Sequence, residues 1–78
     1  MMNKFIDENS PELYEVSKED AILALFTRGQ FVSRDGWDSD YFIFLEDGFI
    51  VSSKYDIEVE PKYFANFLNG KQFYIRGN

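Results

Sequence analysis

The dipeptide Asp47-Gly48 stands between "YFIFLE" and "FIVSS", two runs rich in aromatic and β-branched residues. Asp-Gly readily adopts the positive φ angles that a type I′ turn requires, and the twist of that turn matches paired strands, so the stretch predicts a β-hairpin. Further strands are predicted around it. "QFVSR" and "KQFYIR" are short and rich in β-formers, while "YDIEVE" alternates Tyr55, Ile57 and Val59 with acids, the pattern of a strand with one buried face.

Two segments break this pattern. In "SKED", Ser17 is suited to an N-cap with Asp20 three residues on, and Glu19 and Asp20 favour the positive end of a helix. A helix is predicted over residues 18–28, with Ile22, Leu25 and Phe26 on its apolar face and Gly29 as terminator. Pro61 suits the first position of a second helix over 61–69, with Tyr63, Phe64, Phe67 and Leu68 as its stripe and Gly70 beyond its end. Residues 1–16, interrupted by Pro11, read as an arm or a short strand. "ALFTRGQFVSR" and "NFLNGKQFYIR" both run from an apolar helix end through glycine into a strand, so both helices feed one sheet. The expected fold is a single α+β domain over residues 1–78, a mainly antiparallel sheet of four to five strands with two short helices.

A chain of 78 residues has a small core, and it contains neither cysteine nor histidine. Disulfides, thiolate or imidazole metal sites and catalytic designs built on Cys or His are thereby excluded. Aromatic packing and self-association are the remaining supplements. Nine Phe, five Tyr and one Trp supply the first, and a homo-oligomer is expected from the second. No apolar run reaches the length of a membrane span, so a cytoplasmic protein without membrane contact is expected. The net charge of −6 disfavours direct binding to nucleic acid, which needs a basic face to displace counterions. The acids either keep the protein soluble or meet a basic partner.

Catalytic candidates reduce to carboxylates, hydroxyls, Lys and Arg. Asp38 and Asp40, two apart, are able to share a side of an extended segment, but Phe42 stands where a calcium loop needs its third oxygen ligand. The scattered glycines form no phosphate-cradling loop. No catalytic residue, metal or cofactor is expected, and the aspartates read chiefly as makers of side-chain turns. The aromatic run Tyr41 to Phe44 reads as core packing rather than a stacking platform. Trp37, the only tryptophan, lies in the polar loop "DGWDSD" after Arg34. Either it folds back over the sheet with its indole N–H satisfied locally, or it offers a flat wall to a ligand or partner. Arg34 either pairs with Asp35, Asp38 or Asp40, or receives a phosphate or carboxylate.

The segment "AILALFTRGQFVSRDGWDSDYFIFL", within residues 18–45, resembles the N-terminal signature of the second family of phage Thoeris anti-defence proteins, to which some proteins described as anti-CRISPRs are similar. The matching features are an apolar helix ending at Gly29, a strand, Arg34, and the pair Gly36 and Trp37. Asp38 stands where asparagine is common in the family, and the chain lacks the family's longer middle section and closing tryptophan, with Phe73 or Tyr74 as the nearest substitute. The resemblance implies a non-enzymatic sponge: an oligomer that sequesters a cyclic nucleotide immune signal of the cyclic ADP-ribose type without turnover. Arg34, Trp37, Asp38 and Asp40 would form its ligand-binding loop. The competing expectation is an acidic phage inhibitor or regulatory protein that binds a host defence protein, covering a nucleic-acid-binding face. A carboxylate enzyme using Asp38 and Asp40 is a third reading.

Overall fold

A computed structural model describes residues 12–77. Six strands form one antiparallel sheet and two helices join it, so the α+β class holds with more strands than the four to five expected. In chain order the elements are β1 (Leu13–Val16), α1 (Lys18–Thr27), β2 (Val32–Arg34), β3 (Ile43–Glu46), β4 (Phe49–Ser52), β5 (Ile57–Glu58), α2 (Pro61–Leu68) and β6 (Phe73–Arg76). The spatial order is β1-β6-β2-β3-β4-β5. The additional strand lies within the segment expected to be an arm or strand. Leu13–Val16 pairs along β6, from Leu13↔Arg76 to Val16↔Phe73. Residues 1–11 lie outside the described part, so the arm reading applies to nothing placed here.

The predicted hairpin is present. Asp47 and Gly48 have φ of 54° and 86°, and β3 and β4 pair from Glu46↔Phe49 to Ile43↔Ser52. Ser17 caps α1, its hydroxyl accepting the Asp20 N–H at 3.1 Å. The helix ends as the chain turns through Gly29 at φ 64° and the Gln30 N–H returns to the Ala24 carbonyl at 3.0 Å. Left-handed backbone at that point is what a glycine accommodates without a Cβ clash.

One face of the sheet holds the core. Val32, Ile43 and Ile75 lie in register across β2, β3 and β6, and with Phe73 they meet Ala21, Ala24 and Leu25 of α1 and Phe67 of α2. The helix face differs from the predicted one. Ala21 and Ala24 are buried with Leu25, whereas Phe26 is half-exposed and meets Phe64 of α2 edge to face at 5.9 Å. Small side chains let the α1 backbone lie close on the sheet, so contact distance rather than side-chain hydrophobicity selects the buried stripe. In α2, Phe67 is buried and Phe64 and Leu68 are half-buried, but Tyr63 of the predicted stripe stays exposed. The β5 segment departs from its alternating pattern too. Only two residues pair, Tyr55 and Ile57 are exposed, and Val59 alone packs against the core. Asp56 at φ 57° turns the chain just before this edge strand and cuts it short.

The aromatic run from Tyr41 divides between the two faces. Ile43 enters the core and Tyr41 packs against it, while Phe42 and Phe44 point the other way. There Phe31 stacks on Phe44 at 4.4 Å with planes 4° apart, and the Arg76 guanidinium lies 5.1 Å from the Phe31 ring and 5.4 Å from the Phe42 ring. Among the described residues no helix is long and apolar enough to cross a membrane.

Candidate functional site

The end of β2 and the loop that follows it to β3 carry the four residues singled out from the sequence: Arg34 closes the strand, and Trp37, Asp38 and Asp40 lie in the loop. The end of α2 and the turn into β6 hold it in place. Asp35 Oδ1 accepts the N–H groups of Lys71 at 2.8 Å and Gln72 at 3.1 Å. These two backbone donors, with the adjacent Arg34 charge, hold the Asp35 carboxyl below its ordinary pKa of 3.8. Arg34 donates through Nε to the Asp35 carbonyl at 2.8 Å and through Nη1 to the Asn66 carbonyl in the last turn of α2. A guanidinium at a helix C-terminus complements the helix dipole, and here it adds a second donor to a carbonyl that already accepts the Asn69 N–H at 3.2 Å. Gly70 makes this approach feasible, since a Cβ there would come 3.0 Å from both Cβ and Nε of Arg34.

Trp37 is half-buried. Its ring packs at 4.6 Å from Tyr41 and 5.7 Å from Phe67, and its Nε1 donates to Asn66 Oδ1 at 3.2 Å. The indole N–H is therefore satisfied across the fold, by a side chain of α2, and not locally within its own loop. Asn66 thus receives both residues: Arg34 on its backbone carbonyl and, at 3.4 Å, on its side-chain oxygen, and Trp37 on that same side-chain oxygen. Lys54 and Gly70 also shape the loop. The sequence marks Gly70 only as the end of the second helix and does not mark Asn66 or Lys54, because none of the three stands near the loop along the chain.

Asp38 and Asp40 are brought together by Lys54. Its Nζ lies 2.8 Å from Asp38 Oδ2 and 3.5 Å from Asp40 Oδ1. The hydrogen bond from Lys54 lowers the Asp38 pKa, and the same bond raises that of Lys54. Among the described residues no three His, Cys, Asp or Glu side chains gather closely enough to hold a metal ion.

Beside this loop lies an open groove of about 510 Å³. Arg34, Trp37 and Asp38 line it with Phe42, Gln72 and Tyr74, whereas Asp40 does not. Arg34 is the positive charge of the groove, but its side chain is only 16% exposed and two of its nitrogens are already bonded. Trp37 offers ring surface, because its one donor is used. The groove suits a flat group that stacks, with hydroxyl or amide edges meeting Asp38 and Gln72.

No family model, curated protein or solved structure matches the chain.

Proposed function

We propose that the protein is a phage-type counter-defence binder that sequesters a cyclic nucleotide immune signal, of the cyclic ADP-ribose class, without turnover. The observation that supports this reading most is the meeting of Arg34, Trp37 and Asp38 on one groove, with Asn66 holding the arginine and the tryptophan in fixed orientation. A loop already ordered before binding loses little entropy when a ligand arrives. Acids outnumber bases around the groove, so stacking on Trp37 and Tyr74, not net charge, must supply most of the affinity. The groove is open, and a second copy of the chain is the proposed closure. The sheet face carrying Phe31, Phe44 and Phe49, which neither helix covers among the described residues, is available for that association.

A second reading is supported by a different surface. Glu46, Asp47, Asp56, Glu58 and Glu60 are exposed around β4 and β5, interleaved with exposed Phe49, Tyr55 and Ile57. Acids interleaved with large apolar side chains suit a basic protein partner, in the manner of an inhibitor that covers a nucleic-acid-binding face.

Thermal unfolding with cyclic ADP-ribose isomers and cyclic di- and trinucleotides tests the first reading. A true ligand at 100 times its dissociation constant adds about 2.7 kcal/mol, and a domain of this size gains roughly 4 to 8 °C per kcal/mol. Absence of any shift across the panel, in a folded protein, would favour the basic protein partner. In that case pull-down of a host protein would weaken steeply with added salt.

A further inference from the structure

On the far side of the molecule from β1, three tyrosines come together. Tyr41, Tyr55 and Tyr63 line one cavity of about 290 Å³ with Glu58, Glu60 and the apolar side chain of Ile57. The Tyr41 and Tyr55 ring centroids are 6.1 Å apart with planes at 69°, so the two rings form a corner instead of packing flat on each other. Tyr55 and Tyr63 are 60% and 53% exposed, which is more than core packing would leave. Burial holds the Tyr41 phenol above its ordinary pKa of 10.0, so it stays a neutral ring at physiological pH.

Aromatic faces set at an angle around a small apolar space, with a carboxylate at the rim, are complementary to a cation that carries alkyl groups. The quadrupole of each ring attracts positive charge, the apolar walls receive methyl or methylene groups, and the carboxylate adds long-range attraction. The same attraction is visible within the chain. Lys54 Nζ lies 5.7 Å from the Tyr55 ring centroid and Lys62 Nζ lies 5.3 Å from that of Tyr63. Neither lysine lines the cavity. Lys54 is held by Asp38 and Asp40, and Lys62 reaches Glu60 only at 3.9 Å. Glu58 pairs with Val51 and so directs its side chain to the sheet face opposite Ile57, which leaves Glu60 as the carboxylate beside the cup.

We infer that the cup formed by Tyr41, Tyr55 and Tyr63, with Glu60 at its rim, binds an alkylammonium cation. No residue lines both the cup and the groove beside Trp37, and although Tyr41 touches Trp37, Tyr55→Leu changes the cup without touching the groove, so this inference is tested apart from the sequestration reading.

The test is a titration of the full chain followed by NMR of the tyrosine ring protons, at constant ionic strength. The probes are choline, its neutral isostere 3,3-dimethyl-1-butanol, and short peptides containing lysine or trimethyl-lysine. Saturable shifts at Tyr41, Tyr55 and Tyr63 are expected with choline, with binding of the neutral isostere weaker by about tenfold. Tyr55→Leu and Glu60→Gln, both at exposed positions, are expected to weaken choline binding while leaving the melting temperature within a few degrees. A peptide that binds more tightly than choline would identify a side chain of a partner as the source of the cation, and the reverse order would identify a free small molecule. If choline and both peptides leave the three tyrosines unmoved, or if the neutral isostere binds as well as choline, the inference is wrong.

Discussion

The indole Nε1 of Trp37 donates to the side-chain oxygen of Asn66 at 3.2 Å, joining the β2–β3 loop to α2 across 29 residues of chain. Because Arg34 donates to the backbone carbonyl of that same asparagine, the two most distinctive residues of the loop depend on one point of attachment. Asn66→Ala removes the side-chain oxygen that accepts Trp37 and, at 3.4 Å, Arg34, and leaves the backbone carbonyl in place. The expected cost is about 0.5–1.5 kcal/mol, a lowering of melting temperature by several degrees, with a red shift of tryptophan emission as the ring loosens. Thermal unfolding and fluorescence of the variant check this. An unchanged emission maximum would mean that packing on Tyr41 and Phe67 alone positions the ring.

Gly70 is required by close approach and not by backbone angle. An alanine there would place its Cβ 3.0 Å from Cβ and Nε of Arg34 and 3.1 Å from Asp35 Oδ1. Gly70→Ala is expected to destabilise the fold by about 1–3 kcal/mol, measured by chemical denaturation. Gly48→Ala is destabilising for a different reason. The space around Gly48 is open, but φ is 86°. There the expected cost is about 1–2 kcal/mol from backbone strain.

Two carboxylates make the protein sensitive to acid. Asp35 and Asp38 titrate below their ordinary 3.8 in the folded chain, Asp35 chiefly through the Gln72 and Lys71 amides and Asp38 through Lys54. A depressed folded-state pKa contributes stability that is present above the unfolded value and lost as pH falls through the folded one. The loss is therefore expected below about pH 4. Asp35→Asn should flatten that part of the stability curve. Lys54 has the opposite sign. Its raised pKa contributes stability that is fully present below 10.5 and lost as pH rises through the higher folded value. Denaturant midpoints measured across both limbs, with NMR titration of the Asp35 carboxyl, check the assignment.

What was legible in the sequence was mostly local. Asp47-Gly48 dictates its own turn, Ser17 and Pro61 mark their helix starts, and Gly29 ends α1, because each works through the backbone within a few residues. The face of α1 was harder to read. Ile22 and Phe26 are more apolar than Ala21 and Ala24, yet the alanines lie against the sheet, and only the distance between the two layers selects them. Of the site, the loop residues were recognisable by composition, and Arg34, Trp37 and Asp38 do meet at one groove. Their supports are harder to read. Asn66, Lys54 and Gly70 act across the fold: Gly70 is legible as the end of α2 but not as the close neighbour of Arg34, and nothing in the spacing marks Asn66 or Lys54.

The most direct test of the groove as a ligand site uses the fact that Trp37 is the only tryptophan in the chain. Its fluorescence should be followed while cyclic ADP-ribose isomers and cyclic nucleotides are added, and the bound ligand should then be released by heat and identified by mass. Saturable quenching by one ligand, loss of its binding in Trp37→Ala, and recovery of that ligand chemically unchanged are the expected results. Emission that no member of the panel alters, or a ligand recovered as a cleaved product, would contradict the sequestration reading.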